Sequence, residues 1–562
     1  MTTKSTSGRH SEYPTLRLAH LNVGKSLRGW RSASRAAAVL LSVASTASAQ
    51  SRRVVATFDG EQFRGSTSAD SLVLFRGVPY AAAPVGTLRW RAPERRRIQR
   101  AVRAATEFGP ACPQLPGLGT FYRNIAVAFG RGDSVRLTAP RTSEDCLTLN
   151  VWAPVVADRH APLPVMVWIH GGSNIYGEGS SPIYDGARLA RRGAVVVTIN
   201  YRLGALGFLA HPALTAESPD HASGNYALLD QIAALQWVQR NIISLGGDTA
   251  RVTVFGESAG SIDIMHLMAS PRAAGLFHRA IAESGAPMGA LTRLAQAEAS
   301  GVAFARAAGI DSTAGALDAL RKLPADSVVA LSMRLLAAHP SLGAPIVEGA
   351  VLPEMTGNAF DHGRIARVPL LLGSNALEMS SLRVYVPQFE RTVGNFTAWV
   401  TRSFGLASPR VLSLYPVRAD ADVEMALLRA TTHMFMTCPT RFAARGAARA
   451  AMPTYLYQFT RVLPGGESLG AYHSAEIGYV FGTKESWLPL EPVDHELSES
   501  MARYWVRFAA TGNPNVAGLP EWLPYDQATD RHLELGNTIA AGAGLTRETC
   551  DLVQLGLRAQ LK

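Results

Sequence analysis

Arg251-Val-Thr-Val-Phe-Gly256-Glu257-Ser258-Ala259-Gly260 is the stretch whose reading decides the fold. A run of β-branched and aromatic residues ends at Gly256, a turn of small residues follows, and the apolar Ile262, Met265 and Met268 recur beyond it at helical spacing. That order predicts a strand, a sharp corner and a helix. Only side chains with little bulk fit beside such a corner, so a serine there is pushed clear of the sheet. The helix behind it aims backbone N–H groups and the positive end of its dipole at any negative charge that develops near Ser258. A second G-x-S-x-G match, Gly466-Glu467-Ser468-Leu469-Gly470, follows Pro464 and Gly465 and has no strand feeding it, so Ser468 reads as a loop serine.

Working outward, residues 147–152, 164–169, 194–200, 252–255 and 280–283 are short, nearly continuous apolar runs. Such runs suit strands covered on both faces of a mostly parallel sheet. Residues 226–243 carry Leu228, Ile232, Leu235, Val238 and Ile242 at helical spacing. The alternation predicts an α/β fold with an open central sheet flanked by helices, whose site lies at the carboxyl ends of its strands. Residues 54–58 and 71–75 read as a leading meander, 368–373 and 454–459 as further strands, 501–510 as a late helix and 531–535 as a last edge strand. The Ala-rich stretch 290–365 reads as a helical insertion above the sheet.

A serine hydroxyl attacks only with a base in reach, a group that orients the base, and donors for the oxyanion. His170-Gly171-Gly172-Ser173 follows the strand at 164–169, where small residues let N–H groups approach a substrate oxygen. Among 14 histidines, His473 stands on a loop after the 454–459 strand, where a doubly wound sheet would present a base. Glu378 lies just past the 368–373 strand, as an orienting acid should. The order Ser258, Glu378, His473 is nucleophile, acid, base.

With 562 residues, 47% hydrophobic and 18% charged, the composition is that of a globular protein. At the N-terminus Arg28, Arg31 and Arg35 precede the apolar run 36–43, and Ala47-Ser48-Ala49 follows. Basic flank, short apolar core and A-x-A end predict a secretory signal over residues 1–49, cleaved after Ala49, and one large domain over 50–562. The apolar run is too short to span a bilayer, and stable membrane insertion is not expected. Residues 1–49 hold seven basic residues against one acidic, so their removal lowers the formal net charge from +11 to about +5. The remaining basicity is scattered, which argues against nucleic-acid binding. Cys112, Cys146, Cys438 and Cys550 allow two disulfides in three pairings, of which proximity along the chain favours Cys112–Cys146 and leaves Cys438–Cys550. None has C-x-x-C spacing, so no metal site is expected.

The chain resembles the type-B carboxylesterase family, which includes para-nitrobenzyl esterases, animal carboxylesterases and cholinesterases. The resemblance rests on Phe75-Arg-Gly-Val-Pro-Tyr-Ala81, Glu144-Asp-Cys-Leu-Thr-Leu-Asn150, the His170 turn, Asn200-Tyr-Arg-Leu-Gly204, Gly246-Gly247-Asp248, the Ser258 stretch, Ser284-Gly285, Glu378, the His473 loop and Gly512-Asn513-Pro514-Asn515. It implies an α/β-hydrolase fold with helical insertions over the active site, no cofactor, a small-molecule ester as substrate, and a monomer or small homo-oligomer exported to the periplasm or beyond. It also implies Ser258 as nucleophile, Glu378 as acid and His473 as base. Gly172, Ser173 and Ala259 become oxyanion donors with Gly171 beside them, and Glu257 and Ser284 lie just behind the triad. The pairs Cys112–Cys146 and Cys438–Cys550 match the family's disulfides.

Three departures concern the substrate. Relatives usually carry a third small residue and then an aromatic after His-Gly-Gly, whereas here Ser173 is followed by Asn174, and Ser261 and Met379 stand where glycine is common, changes expected to reshape the acyl pocket and make it more polar. The Cys112–Cys146 loop has Phe121, Tyr122 and Phe129 but no Trp, which argues against a choline ester. The acyl pocket is expected between the 290–350 insertion and the 174–176 turn. A different class of reading is an inactive binding or adhesion module on the same scaffold, which the presence of all three triad residues disfavours.

Overall fold

The computed structural model describes residues 53–560 apart from 136–138, 156–160 and 312–314, so the export signal expected at 1–49 lies outside the described residues. In chain order the strands are β1 (Arg53–Phe58), β2 (Glu61–Thr67), β3 (Leu72–Pro79), β4 (Arg103–Ala104), β5 (Thr148–Pro154), β6 (Leu163–Ile169), β7 (Val195–Ile199), β8 (Gly247–Glu257), β9 (Arg279–Glu283), β10 (Leu370–Asn375), β11 (Thr454–Phe459), β12 (His532–Leu535) and β13 (Ile539–Gly542). They form one sheet in the order β1-β2-β3-β5-β7-β6-β8-β9-β10-β11-β12-β13, with β4 beside β2. From β7 to β12 every neighbouring pair is parallel, while the pairs from β1 to β7 and the last pair are antiparallel.

The unbroken apolar runs are explained by coverage of both faces. Along β6, Val165, Val167 and Ile169 face one hydrophobic core while Met166 and Trp168 face another. The first core is closed by the helices Tyr226–Asn241, Ala259–Ala269 and Cys438–Arg449, and the second by Ala187–Arg191 and Pro492–Thr511. In the second core the buried Trp168 ring meets Tyr184, Phe255 and Phe481 at centroid distances of 5.0, 4.9 and 5.0 Å. Such pairs each contribute about 0.5–1.5 kcal/mol beyond area burial.

Helices also fill the 290–365 stretch, where Phe304, Leu320, Val328 and Leu331 pack against Trp90, Leu206 and Leu209. A second helical insertion, Val393–Phe404, Ser408–Leu414 and Asp420–Thr432, has its own core of Phe396, Trp399, Val411, Val423 and Leu427. Cys112–Cys146 and Cys438–Cys550 are both bonded. The first ties off the loop that carries the helix Leu118–Ala128, and the second joins two late helices.

Candidate active site

β8 delivers the Ser258 stretch to the carboxyl end of the sheet. Gly256 and Gly260 flank the corner because a Cβ at either position would collide with the carbonyl of Ile169 on the neighbouring strand. Ser258 takes φ 56° and ψ −121°, a conformation rare outside glycine, and its N–H donates to the Glu283 carbonyl at 2.9 Å. The helix Ala259–Ala269 begins with the next residue, so the Ala259 N–H is among those with no intrahelical partner.

The turn after β6 supplies the facing wall. Gly172, Ser173 and Asn174 are successive left-handed residues at φ 107°, 55° and 59°. Neither the Gly172 nor the Ser173 N–H donates to a protein acceptor among the described residues. His170 is fully buried, stacked on Tyr201 at 4.4 Å, and its Nδ1–H donates to the Gly171 carbonyl at 2.8 Å. Burial pushes its pKa down to about 4, so it is a neutral support of the turn.

β10 and β11 end beside the elbow and carry the remaining partners. Glu378 opens a tight turn three residues past β10 and accepts the Asn375 N–H on Oε1 at 2.7 Å. Its Oε2 lies 2.7 Å from His473 Nδ1. His473 Nε2 lies 3.0 Å from Glu257 Oε1, which also accepts the Ser474 hydroxyl at 2.7 Å. Ser258 Oγ has no protein hydrogen bond among the described residues, although Ser258 and His473 line one pocket. The expected serine–imidazole contact is therefore replaced by a bond from the imidazole to the carboxylate next door. Catalytic hydrogen bonds of this kind often tighten only with substrate bound.

Behind the imidazole lies a cluster of buried carboxyls that sequence reading only partly found. Ser284 Oγ donates to Glu476 Oε1 at 3.1 Å, and Asn375 Nδ2 bonds Glu476 Oε2 as well as the Tyr472 carbonyl. Glu283 accepts Trp505 Nε1–H at 2.9 Å. Burial, with the charges of Glu257 and Glu378, pushes Glu476 up to about 8. Burial likewise raises Glu283 well above the carboxylate range, with Glu476 adding to it. For His473 burial works downward, but the charge of Glu257 and the hydrogen bond and charge of Glu378 outweigh it and push the imidazole up to about 9. Glu476 and Glu283 left no signal in the sequence because their partners, Ser284 and Asn375 for the first and Trp505 for the second, come from elements far apart along the chain.

The narrow pocket over Ser258 is lined by Leu118, Phe121, Tyr122, Gly171, Gly172, Ser173, Tyr176, Tyr184, Leu382 and His473, among others. No residue of 290–350 is among those lining it, although Gly343 of that stretch packs against Ile175 in the 174–176 turn. The wall comes instead from the disulfide-closed loop and the 382–385 turn, where Tyr385 OH lies 3.1 Å from Ser173 Oγ. Phe129 is not part of that wall and packs on Tyr472 and Trp487. The three departures from the family pattern also turn away from the pocket. Ser261 Oγ donates to the Gly285 carbonyl at 2.6 Å, Asn174 Nδ2 donates to Asp263 Oδ1 at 3.1 Å, and Met379 is buried with the second helical insertion.

A mostly parallel sheet with a serine elbow at its carboxyl edge defines the α/β-hydrolase class. A model of the carboxylesterase family matches residues 52–553. The fumonisin B1 esterase of Sphingopyxis macrogoltabida is 36% identical over 487 residues, covering 84% of this chain and 84% of its own. The para-nitrobenzyl esterase of Bacillus subtilis (strain 168) is 34% identical over 487 residues, covering 84% of this chain and 93% of its own. A solved PNB esterase structure superposes with a TM-score of 0.74 at 32% identity, covering 89% of this chain and 99% of that one. The chain belongs to the carboxylesterase family and is a carboxylic ester hydrolase.

The carboxylate contacts of His473 set an expected pH dependence. An imidazole whose pKa is raised keeps its proton to higher pH, so the neutral base is lost as pH falls through that raised value. Glu257→Gln removes one of the carboxylate charges that hold the proton on, those of Glu257, Glu378 and Glu476. The acid limb of kcat/KM for p-nitrophenyl acetate should then move to lower pH by about one unit or more. A limb that stays in place in the variant would show that Glu257 does not govern the base.

Proposed function

We propose that this protein is an exported serine carboxylesterase that works through an acyl-enzyme on Ser258, with Glu378 and His473 as acid–base pair. The observation that carries the reading is the convergence, in one pocket, of Ser258 at its strained elbow, the Glu378-bound imidazole of His473 and the unpartnered N–H groups of Gly172 and Ser173.

Neutral His473 takes the Ser258 proton as Oγ adds to the ester carbonyl. The new C–O bond pushes the carbonyl electron pair onto oxygen, where the N–H groups of Gly172, Ser173 and Ala259 receive it. Collapse expels the alcohol, which takes the proton from His473, and leaves the acyl-enzyme. A water molecule deprotonated by His473 then repeats the addition and releases the acid and Ser258. Glu378 holds Nδ1 as the donor throughout, so that Nε2 is the basic atom. Phe121, Tyr122, Tyr176, Tyr184 and Leu382 suit the apolar part of an ester, while Ser173 and Tyr385 offer hydroxyls at the rim. Two disulfides and the basic–apolar–small pattern of residues 28–49 support export.

The test is covalent trapping. Diethyl p-nitrophenyl phosphate should release p-nitrophenol once per chain, abolish hydrolysis and leave a diethylphosphoryl group on the peptide containing Ser258, read by mass spectrometry. Full hydrolysis without a label, or a label elsewhere, would overturn the proposal. A series of p-nitrophenyl esters of rising acyl length then sizes the pocket.

A further inference from the structure

The two halves of the oxyanion site are joined by a buried polar cluster outside the triad. Asp263 lies five residues beyond Ser258 on the helix Ala259–Ala269 and is fully buried. Asn174 Nδ2 donates to its Oδ1 at 3.1 Å, and Gln231 Nε2, from the helix Tyr226–Asn241, donates to its Oδ2 at 2.6 Å. Asp263 forms no ion pair among the described residues. The Tyr201 ring, stacked on His170, sits close enough to Asp263 to feel its charge, and its hydroxyl donates to the His170 carbonyl at 2.6 Å.

Asn174 follows directly on the donors Gly172 and Ser173 and completes their run of left-handed residues. Backbone of that kind is strained for any residue with a Cβ and persists only where surrounding contacts hold it. At Asn174 those contacts are the Gly204 N–H, which donates to its carbonyl at 2.8 Å, and the side-chain bond to Asp263. Asp263 rides on the helix that opens with Ala259, the third donor. One carboxyl thus links the Gly172–Ser173 pair to the Ala259 N–H across the cleft where the oxyanion forms.

We propose that Asp263 is a positioning residue for ester hydrolysis, fixing the Gly172 and Ser173 N–H groups against that of Ala259 through Asn174; the inference rests on the acyl-enzyme reading of Ser258. Stability alone does not account for it. A carboxyl buried between two neutral amides is poorly compensated, and an apolar side chain of similar size would be the more stable occupant. Burial duly pushes Asp263 up to about 7, against the two amide bonds. Among the described residues Asn174 Oδ1 and Gln231 Oε1 have no partner, and both amides donate to this carboxyl.

The experiment compares the full chain with Asp263→Ala, Asp263→Asn and Asn174→Gly, using p-nitrophenyl acetate as substrate and an alkyl trifluoromethyl ketone as a mimic of the oxyanion adduct. Asp263→Ala and Asn174→Gly should lower kcat about 10- to 100-fold, weaken the ketone by a similar factor and leave KM within about threefold. Asp263→Asn should recover most of that loss, because its oxygen still accepts from Asn174 and the Gln231 amide can turn. Asn174→Gly keeps φ at 59° accessible, so it reads the same question should Asp263→Ala fail to fold. Values of kcat and ketone affinity within twofold of the parent in these variants would overturn the proposal, as would a fall in kcat with ketone affinity intact. Ser258→Ala is run alongside. Hydrolysis surviving there refutes the acyl-enzyme reading itself, whereas a dead Ser258→Ala beside an unaffected Asp263→Ala refutes only the positioning role.

Discussion

Ser258→Ala should lower kcat for p-nitrophenyl esters by about 10⁴- to 10⁶-fold while the protein stays folded. The hydroxyl bonds no protein group among the described residues, and the structural duty of residue 258, its N–H to the Glu283 carbonyl, belongs to the backbone. Alanine has the same small Cβ, so the strain at φ 56° is unchanged. The lost rate is thus the nucleophile's own. What survives should be the modest catalysis of a polarised carbonyl held in the Gly172–Ser173 turn. Thermal unfolding of the variant within a few degrees of the parent, beside a kcat reduced by less than 100-fold, would remove Ser258 from the mechanism.

The second large effect is expected at Glu378. Its two oxygens have separate tasks, since Oε1 accepts the Asn375 N–H at 2.7 Å and Oε2 faces His473 Nδ1 at 2.7 Å. In Glu378→Gln the amide oxygen must stay on the Asn375 side, which turns the NH₂ group toward Nδ1. The imidazole then settles in the tautomer with Nδ1 as acceptor and Nε2 protonated, and it can no longer take a proton from Ser258. A loss of about 10⁴-fold in kcat follows, with KM little changed. A variant that keeps more than a tenth of the parent kcat would show that Glu378 does not set the tautomer.

How far the sequence led can be argued from particular residues. The elbow was legible because its signals are local: a β-branched run, two glycines and a helical period within twenty residues. Glu378 and His473 could be expected side by side because each follows a buried apolar strand, and the sheet pairs those strands, β10 and β11. β2 was missed although Asp59-Gly60 before it is a hairpin turn with both residues left-handed, at φ 47° and 87°. β13, with sequence Ile-Ala-Ala-Gly, carries too little pattern to declare itself. The insertion over 393–432 went unassigned because its apolar residues face one another rather than the sheet. Within the site, Asp263 and Glu476 were invisible for a different reason. An isolated acid in an apolar helix has no meaning until Asn174, Gln231, Asn375 and Ser284 arrive from other elements. Asn174 and Ser261 were read as pocket residues because they adjoin the Gly171–Ser173 turn and the Ser258 elbow along the chain, whereas both side chains are buried on other partners.

The loop closed by Cys112 and Cys146 gives the fold a replaceable part. Its ends are fixed with Cα atoms 5.0 Å apart, while Leu118, Phe121 and Tyr122 within it form a wall of the pocket over Ser258. None of the sheet strands that carry the triad passes through it. Its pocket-facing side chains can therefore vary with the ester that fits, while Gln114, which bonds both backbone groups of Gly177, and Ile125, which packs on Tyr472, tie the loop to the rest of the site.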